Sequence, residues 1–224
     1  MLLDPSEQGK ASPPTHWRPG GGKVFCIGRN MTGTTSLEKA FRELGYEVGD
    51  QVAAELLCDA YYFERRFEPI AAYCNSAQVF QDVPFSYPYL FVYLDQVFPG
   101  SKFILSVRDD AEQWYRSITR FHAKLWGTDG APPTMEQLKN ADYRRKGFAY
   151  NTVKLHGTTD EVPYDKATLI DHYNAHNKSV QDYFKFRSND LLVLNVSKQE
   201  DHARFVEFLG VSSPNKDFPK ENVT

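Results

Sequence analysis

Three groups of residues in this chain have the types and spacing to do chemistry. The first is Gly28-Arg-Asn-Met-Thr-Gly33, followed at once by Thr34, Thr35 and Ser36. Two glycines bracket a turn, and three hydroxyl side chains open the segment behind it. Such a turn aims free backbone N–H groups and a helix N-terminus at one point, which suits an anion such as phosphate. Glycines alone would describe any strand-to-helix turn; the run of hydroxyls tips the balance towards an anion site. The second group is Arg108, at the end of the apolar run Lys102-Phe-Ile-Leu-Ser-Val107. An arginine there can clamp a phosphate with two parallel N–H bonds, or pair with the neighbouring Asp109 or Asp110 at little gain if exposed. The third is Asp82, just past Ala77-Gln-Val-Phe80 and before Pro84. A charged residue at the C-terminal end of a parallel strand points into the crevice where α/β sheets bind ligands. A turn or helix cap before the proline is the equal alternative.

The spacing from Gly28 to Gly33 is that of a nucleoside-triphosphate P-loop, but that motif requires Lys and then Ser or Thr after the second glycine. Thr34 stands where the lysine should be, which demotes a magnesium-nucleotide kinase or GTPase. No metal site is expected. Cys26, Cys58 and Cys74 lack metal or redox spacing, and His122 and His156 are lone histidines without ligand spacing.

The elements that must position these residues follow from periodicity. Val24 to Ile27 reads as a buried strand. A helix from Ser36 puts Leu37, Ala40, Phe41 and Leu44 on one face, with Gly45 as its stop. Tyr46 to Val48 reads as a brief strand. Helical pattern runs from about Val52 to Cys74, broken near Asp59 and Pro69. Ala77 to Phe80 is the next strand. Tyr89 to Phe98 is a helix with Leu90, Tyr93, Leu94 and Val97 inward. Lys102 to Val107 is the clearest strand, followed by a helix capped by Asp110 that carries Trp114, Ser117 and Ile118. Residues 123 to 165 are irregular and read as an insertion with one or two helices, a lid or acceptor-binding wall or a packing appendage. Ala167 to Phe186 is helical, with Ile170, Tyr173, Asn174, Val180, Tyr183 and Phe184 inward. Leu191 to Val196 is a strand, and Gln199 to Leu209 a closing helix with Gly210 as its stop. Strands alternating with helices predict an α/β fold: one domain with a mostly parallel sheet flanked by helices.

Composition bounds the rest. A chain of 224 residues with 41% hydrophobic and 14% aromatic content suits one globular domain. Residues 1 to 22, with four prolines and Gly20-Gly21-Gly22, read as a flexible leader. A net charge of −3 gives no general attraction to nucleic acid or anionic membrane, so anion binding must come from a local site. No apolar run approaches transmembrane length and the N-terminus lacks a signal-peptide core. The expected compartment is the cytoplasm.

Taken together, these residues resemble the sulfotransferase family that uses 3′-phosphoadenosine 5′-phosphosulfate (PAPS) as sulfuryl donor. The likeness runs from about Lys23 to Asn222. Asn30-Met-Thr-Gly-Thr-Thr35 looks like the family's 5′-phosphosulfate loop, Pro-Lys-Ser/Thr-Gly-Thr-Thr. The segment from Phe98 to Arg108, continuing to Trp114 and Ser117, looks like its 3′-phosphate site. The resemblance implies a P-loop-like sulfotransferase fold with about five parallel strands, spanning residues 23–224 with 123–165 as the insertion. It also implies metal-free transfer of a sulfuryl group to a hydroxyl or amine of a small-molecule or carbohydrate acceptor. By it, Asn30, Met31, Thr32, Gly33, Thr34, Thr35 and Ser36 hold the 5′-phosphate end. Arg108 and Ser117 hold the 3′-phosphate, Lys220 is a further nucleotide contact, and Asp82 is the general base, at the position where cytosolic members carry a histidine. Two departures stand out. Met31 occupies the family's lysine position, which stabilises charge on the leaving oxygen; Arg29 or Lys23 are the cations available to replace it, and Lys23 lies at the far end of the strand. Ser117 lies nine residues after Arg108, one more than usual, with Trp114 displaced equally, which places the extra residue in the loop at Asp109-Asp110. Three readings follow: a PAPS-dependent sulfotransferase, a catalytically weak or inactive nucleotide-binding protein of the same fold, and a P-loop-type small-molecule kinase.

Overall fold

A computed structural model describes residues 22–59 and 63–220. The expected leader, apart from Gly22, lies outside these residues. The chain divides into two compact units, one made of the residues up to Val107 together with those from Val180 onwards, the other of Arg108–Ser179.

The first unit is built on a parallel sheet. Its strands are β1 (Val24–Cys26), β2 (Val79–Phe80), β3 (Lys102–Ser106) and β4 (Leu191–Leu194), in the order β2-β1-β3-β4. In register, Val24 pairs with both Val79 and Lys102, Cys26 with Ile104, and Ser106 with Leu194. Side chains alternate across the sheet. Val24, Cys26 and Ile104 join Leu37, Phe41, Leu192, Leu194 and Phe205 on one face. Phe25 points the other way, its ring centroid 5.6–5.9 Å from those of Phe80, Phe85, Phe98 and Phe103. Burial on both faces is why these strands read as continuous apolar runs.

Of the five strands expected, four form among the described residues. The segment Tyr46–Val48 is reduced to one parallel bridge, Val48 to Val79. The Glu47 carbonyl accepts from both Gln78 and Val79, while the Glu47 N–H turns to the Gln78 side chain. Asp50 then caps helix α2 (Gln51–Glu55), accepting from Val52 and Ala53, so the chain leaves the ladder. Pro69 does not break a helix but opens one, α3 (Glu68–Tyr73).

Helix α1 (Thr34–Glu43) starts two residues earlier than expected and buries Leu37, Ala40 and Phe41. Helix α4 (Leu90–Val97) buries Leu90, Phe91 and Leu94. Val97 is 40% exposed, against expectation; Asp95 is the buried residue instead, paired with Arg187 at 2.8 Å and accepting from the Tyr183 hydroxyl. The last helix of this unit, Gln199–Leu209, buries Phe205 and ends at Gly210.

In the second unit, α5 (Ala111–Trp126) begins at the expected cap, Asp110 Oδ1 accepting from the Gln113 N–H at 2.6 Å. It runs on into the stretch read as irregular. Helices α6 (Met135–Asn140) and α7 (Phe148–Lys154) follow, α6 closed by a Thr134–Gln137 capping box. His122 is buried against the Tyr164 hydroxyl at 2.9 Å, and burial pushes its pKa down to about 3. A long helix, α8 (Lys166–Phe184), carries the chain from one unit to the other. Its buried stripe is Leu169, Tyr173, His176, Val180 and Phe184, one register off the expected Ile170 and Asn174.

Candidate functional site

Four strand ends frame the glycine turn, and each contributes a physical constraint. The loop from Gly28 to Gly33 leaves β1. Gly33 is the residue before α1, with φ 97°, a left-handed conformation that glycine adopts without strain. A Cβ there would stand 2.2 Å from Val196 Cγ2, in the loop after β4. Glycine at position 33 therefore serves both conformation and space. Because that residue has no side chain, no side-chain cap closes the N-terminus of α1. The backbone N–H groups of its first turn are the ones a helix cannot satisfy itself, and such groups together with the helix dipole are chemically suited to an anion. Thr35 is exposed at this end, and Ser36 is buried.

The other hydroxyls are engaged within the protein. Thr32, fully buried, donates to the Arg29 carbonyl at 2.6 Å and lies 2.6 Å from the Ser106 hydroxyl. Thr34 Oγ1 donates to Asp82 Oδ2 at 2.9 Å. The sequence reading treated the Thr32 and Thr34 hydroxyls as phosphate ligands like their neighbours; the structure turns both side chains onto protein partners.

Asp82 stands just past β2 with φ 58°. Its Oδ1 accepts from the Val83 N–H at 2.8 Å. Burial pushes its carboxyl above the usual range, opposed by the hydrogen bonds from Thr34 and Val83 and by the Arg29 charge, and reinforced by Glu38. Met31, with φ 67°, is a second non-glycine residue in the left-handed region. Met31 in the glycine loop and Asp82 after β2 each cost on the order of 1–3 kcal/mol, and strain of this kind gathers at functional sites. Arg29 is 1% exposed, its guanidinium donating to the Ser86 carbonyl. It is a buried cation behind the loop. Lys23 is no substitute for the family lysine: it precedes β1, and its Nζ donates to Ala77 O at 2.9 Å, at the opposite end of the strands.

Arg108 and Ser117 belong to the second unit. The Arg108 N–H donates to the Tyr173 hydroxyl at 3.0 Å, and burial lowers the guanidinium's pKa. Tyr173 stacks on Trp114, centroids 4.8 Å apart and planes 15° from parallel. Ser117 lies one turn along α5 from Trp114, part-exposed. Lys220 is exposed. Ser106, Ser86, Tyr173 and Val196 were not among the site residues read from sequence, Tyr173 being read only as a packing residue. Only Ser106 carried a signal, as the polar residue inside an otherwise apolar strand.

The Gly33 constraint is measurable. Gly33→Ala should cost about 1–2 kcal/mol for the left-handed backbone and about 1–3 kcal/mol more for crowding Val196. Gly100→Ala, at φ 80° with open space around its Cβ, should incur the backbone cost alone. Denaturant unfolding of the two variants gives the difference; equal losses would mean that Val196 yields.

Among the described residues, no group of three or more His, Cys, Asp or Glu could hold a metal ion, and no helix is long and apolar enough to cross a membrane. A comparison with curated proteins finds no match. A comparison with known families matches residues 23–224 to the sulfotransferase domain. That match runs through the loop, Asp82, Arg108 and the closing helix alike, and the chain belongs to the sulfotransferase domain family.

Proposed function

We propose that this protein transfers a sulfuryl group from PAPS to a hydroxyl or amine of a small-molecule or carbohydrate acceptor, in the cytoplasm and without a metal. The observation that carries the reading is the uncapped N-terminus of α1 behind a left-handed glycine, in a chain of the sulfotransferase family. The donor set fits the group: backbone amides at a helix start suit a 5′-phosphate. When bound, PAPS supplies an activated sulfuryl group. The amides of residues 31 to 36, with the Thr35 and Ser36 hydroxyls, hold its 5′ end. Arg108 and Ser117 hold the 3′-phosphate, and Lys220 adds a nucleotide contact. Asp82 would take the acceptor's proton as the acceptor oxygen or nitrogen bonds to sulfur and the bond from sulfur to the bridging phosphate oxygen breaks, the 5′-phosphate leaving with that oxygen as 3′-phosphoadenosine 5′-phosphate; the raised pKa of Asp82 suits a base. Arg29 supplies positive charge from behind the loop.

Met31 supports a second reading, a protein of this fold that binds the nucleotide and transfers slowly. A thioether offers no charge to the leaving oxygen. The kinase reading has the least support, since the position after Gly33 is a threonine that donates to Asp82.

Calorimetric titration with 3′-phosphoadenosine 5′-phosphate (PAP), the expected product, tests the donor site. The wild type should bind without metal, and Arg108→Ala should weaken binding at least roughly tenfold, as loss of charge-assisted hydrogen bonds implies. No binding by the wild type would overturn both nucleotide readings. Met31→Lys should raise the rate of transfer from PAPS to a panel of acceptors by on the order of a hundredfold; an unchanged rate would assign the missing charge to another cation. Asp82→Asn should lower transfer by about a hundredfold or more with PAP affinity undiminished, and full activity in that variant would remove Asp82 as the base.

A further inference from the structure

One of the points at which the glycine loop is fastened to the sheet is a residue with no role so far. Ser106 closes β3. Cys26 pairs with Ile104 in the β1–β3 ladder; two residues further along each strand, Gly28 lies beside Ser106. The approach is so close that a Cβ on Gly28 would stand 2.2 Å from Ser106 Oγ and 2.4 Å from its carbonyl oxygen. Glycine is required here to admit the serine.

The proton count at this point fixes who donates to whom. The Thr32 hydroxyl has one proton, and it goes to the Arg29 carbonyl, 2.6 Å away. The Ser106 hydroxyl, 2.6 Å from Thr32 Oγ1, therefore donates to it. Both side chains are 0% exposed. A chain of two short, buried hydrogen bonds thus runs from the end of β3 through Thr32 to the Arg29 carbonyl of the loop. Its inner arm closes residues 29 to 32 into a turn. Its outer arm ties that turn to a strand in the middle of the sheet.

We infer that Ser106 is a positioning residue for the anion loop, holding Thr32 so that the amides from Met31 to Ser36 are set before an anion arrives. The consequence for nucleotide affinity rests on the donor reading above; the fastening itself does not. Preorganisation of this kind lowers the ordering cost of binding, so its loss is read in affinity as well as in loop opening. Ser106 touches no substrate in this scheme and acts only through Thr32.

Ser101 provides the matched control. It lies just before the start of β3, is 3% exposed, donates to Phe98 O at 2.6 Å and accepts from the Lys23 N–H at 2.9 Å. Ser106→Ala and Ser101→Ala each remove a buried serine hydroxyl next to the same strand, and both should lower Tm. Ser106→Ala should also speed amide hydrogen exchange across Asn30 to Thr35 and weaken PAP binding, each roughly tenfold, the size of one lost buried hydrogen bond. Ser101→Ala should leave both unchanged in the folded protein. Thr32→Val should do more than Ser106→Ala, the double variant no more than Thr32→Val alone, and Thr32→Ser, which keeps the hydroxyl, should stay near the wild type. Should loop exchange and affinity in Ser106→Ala match those of Ser101→Ala, or the Ser106 and Thr32 effects add in full, the positioning role is overturned. Wild-type protein that binds no PAP but shows the exchange pattern would reject the donor reading and keep the fastening.

Discussion

The parallel pairing of β1 with β3 is the constraint on which the site rests. It sets Gly28 against Ser106, and from there the loop has little freedom. Its first turn is closed by Thr32 on the Arg29 carbonyl, its last residue is pressed on Val196, and α1 begins immediately. Parallel strands need helical crossovers to connect them, so every strand of this sheet releases its chain at the same end. Asp82, Ser106 and Val196 reach the loop because each follows or closes a strand that runs the same way as β1. One register shift in β1 would move Gly28 away from Ser106 and undo these contacts together.

The electrostatics of the loop are unusual for an anion site. A cation within it, Arg29, is buried and hydrogen-bonded to the Ser86 carbonyl, and a carboxylate, Asp82, is tied to the first turn of α1. Burial raises the Asp82 pKa while Thr34, Val83 and Arg29 hold it down. The net effect is a carboxyl raised above its usual range, and groups perturbed in this way gather where protons are exchanged.

Much of this was legible in the residues. The loop, the strand before it and the helix behind it follow from two glycines and an apolar periodicity. Asp110 as a helix cap could be read from its place before that helix. What could not be read is where hydroxyls point. Thr32, Thr34, Thr35 and Ser36 look alike in sequence, yet two of them turn onto protein partners that lie 48 and 74 residues away. The fifth strand failed for a similar reason: Tyr46–Val48 has strand propensity, but the Gln78 side chain takes the Glu47 N–H that a ladder would need. In α8, Tyr173, Val180 and Phe184 are buried as expected, but Leu169 takes the place read for Ile170, because the two are interchangeable by hydrophobicity and only packing separates them. Long-range pairing and side-chain direction are decided by the fold, not by local pattern.

Met31 shows why membership of the family and catalytic power are separable in this chain. An amide is contributed by any residue, so a seat built from backbone N–H groups is indifferent to the side chain at position 31. The charge on a leaving oxygen is not: it needs a cation at one place, and methionine brings none. The left-handed backbone at Met31 belongs to the loop's shape and not to methionine, which has no special ease there. The loop geometry is therefore maintained by Gly28, Thr32, Gly33 and Ser106, while the catalytic charge depends on a single side chain. On the sulfuryl-transfer reading, sequence change at position 31 can alter the second without disturbing the first.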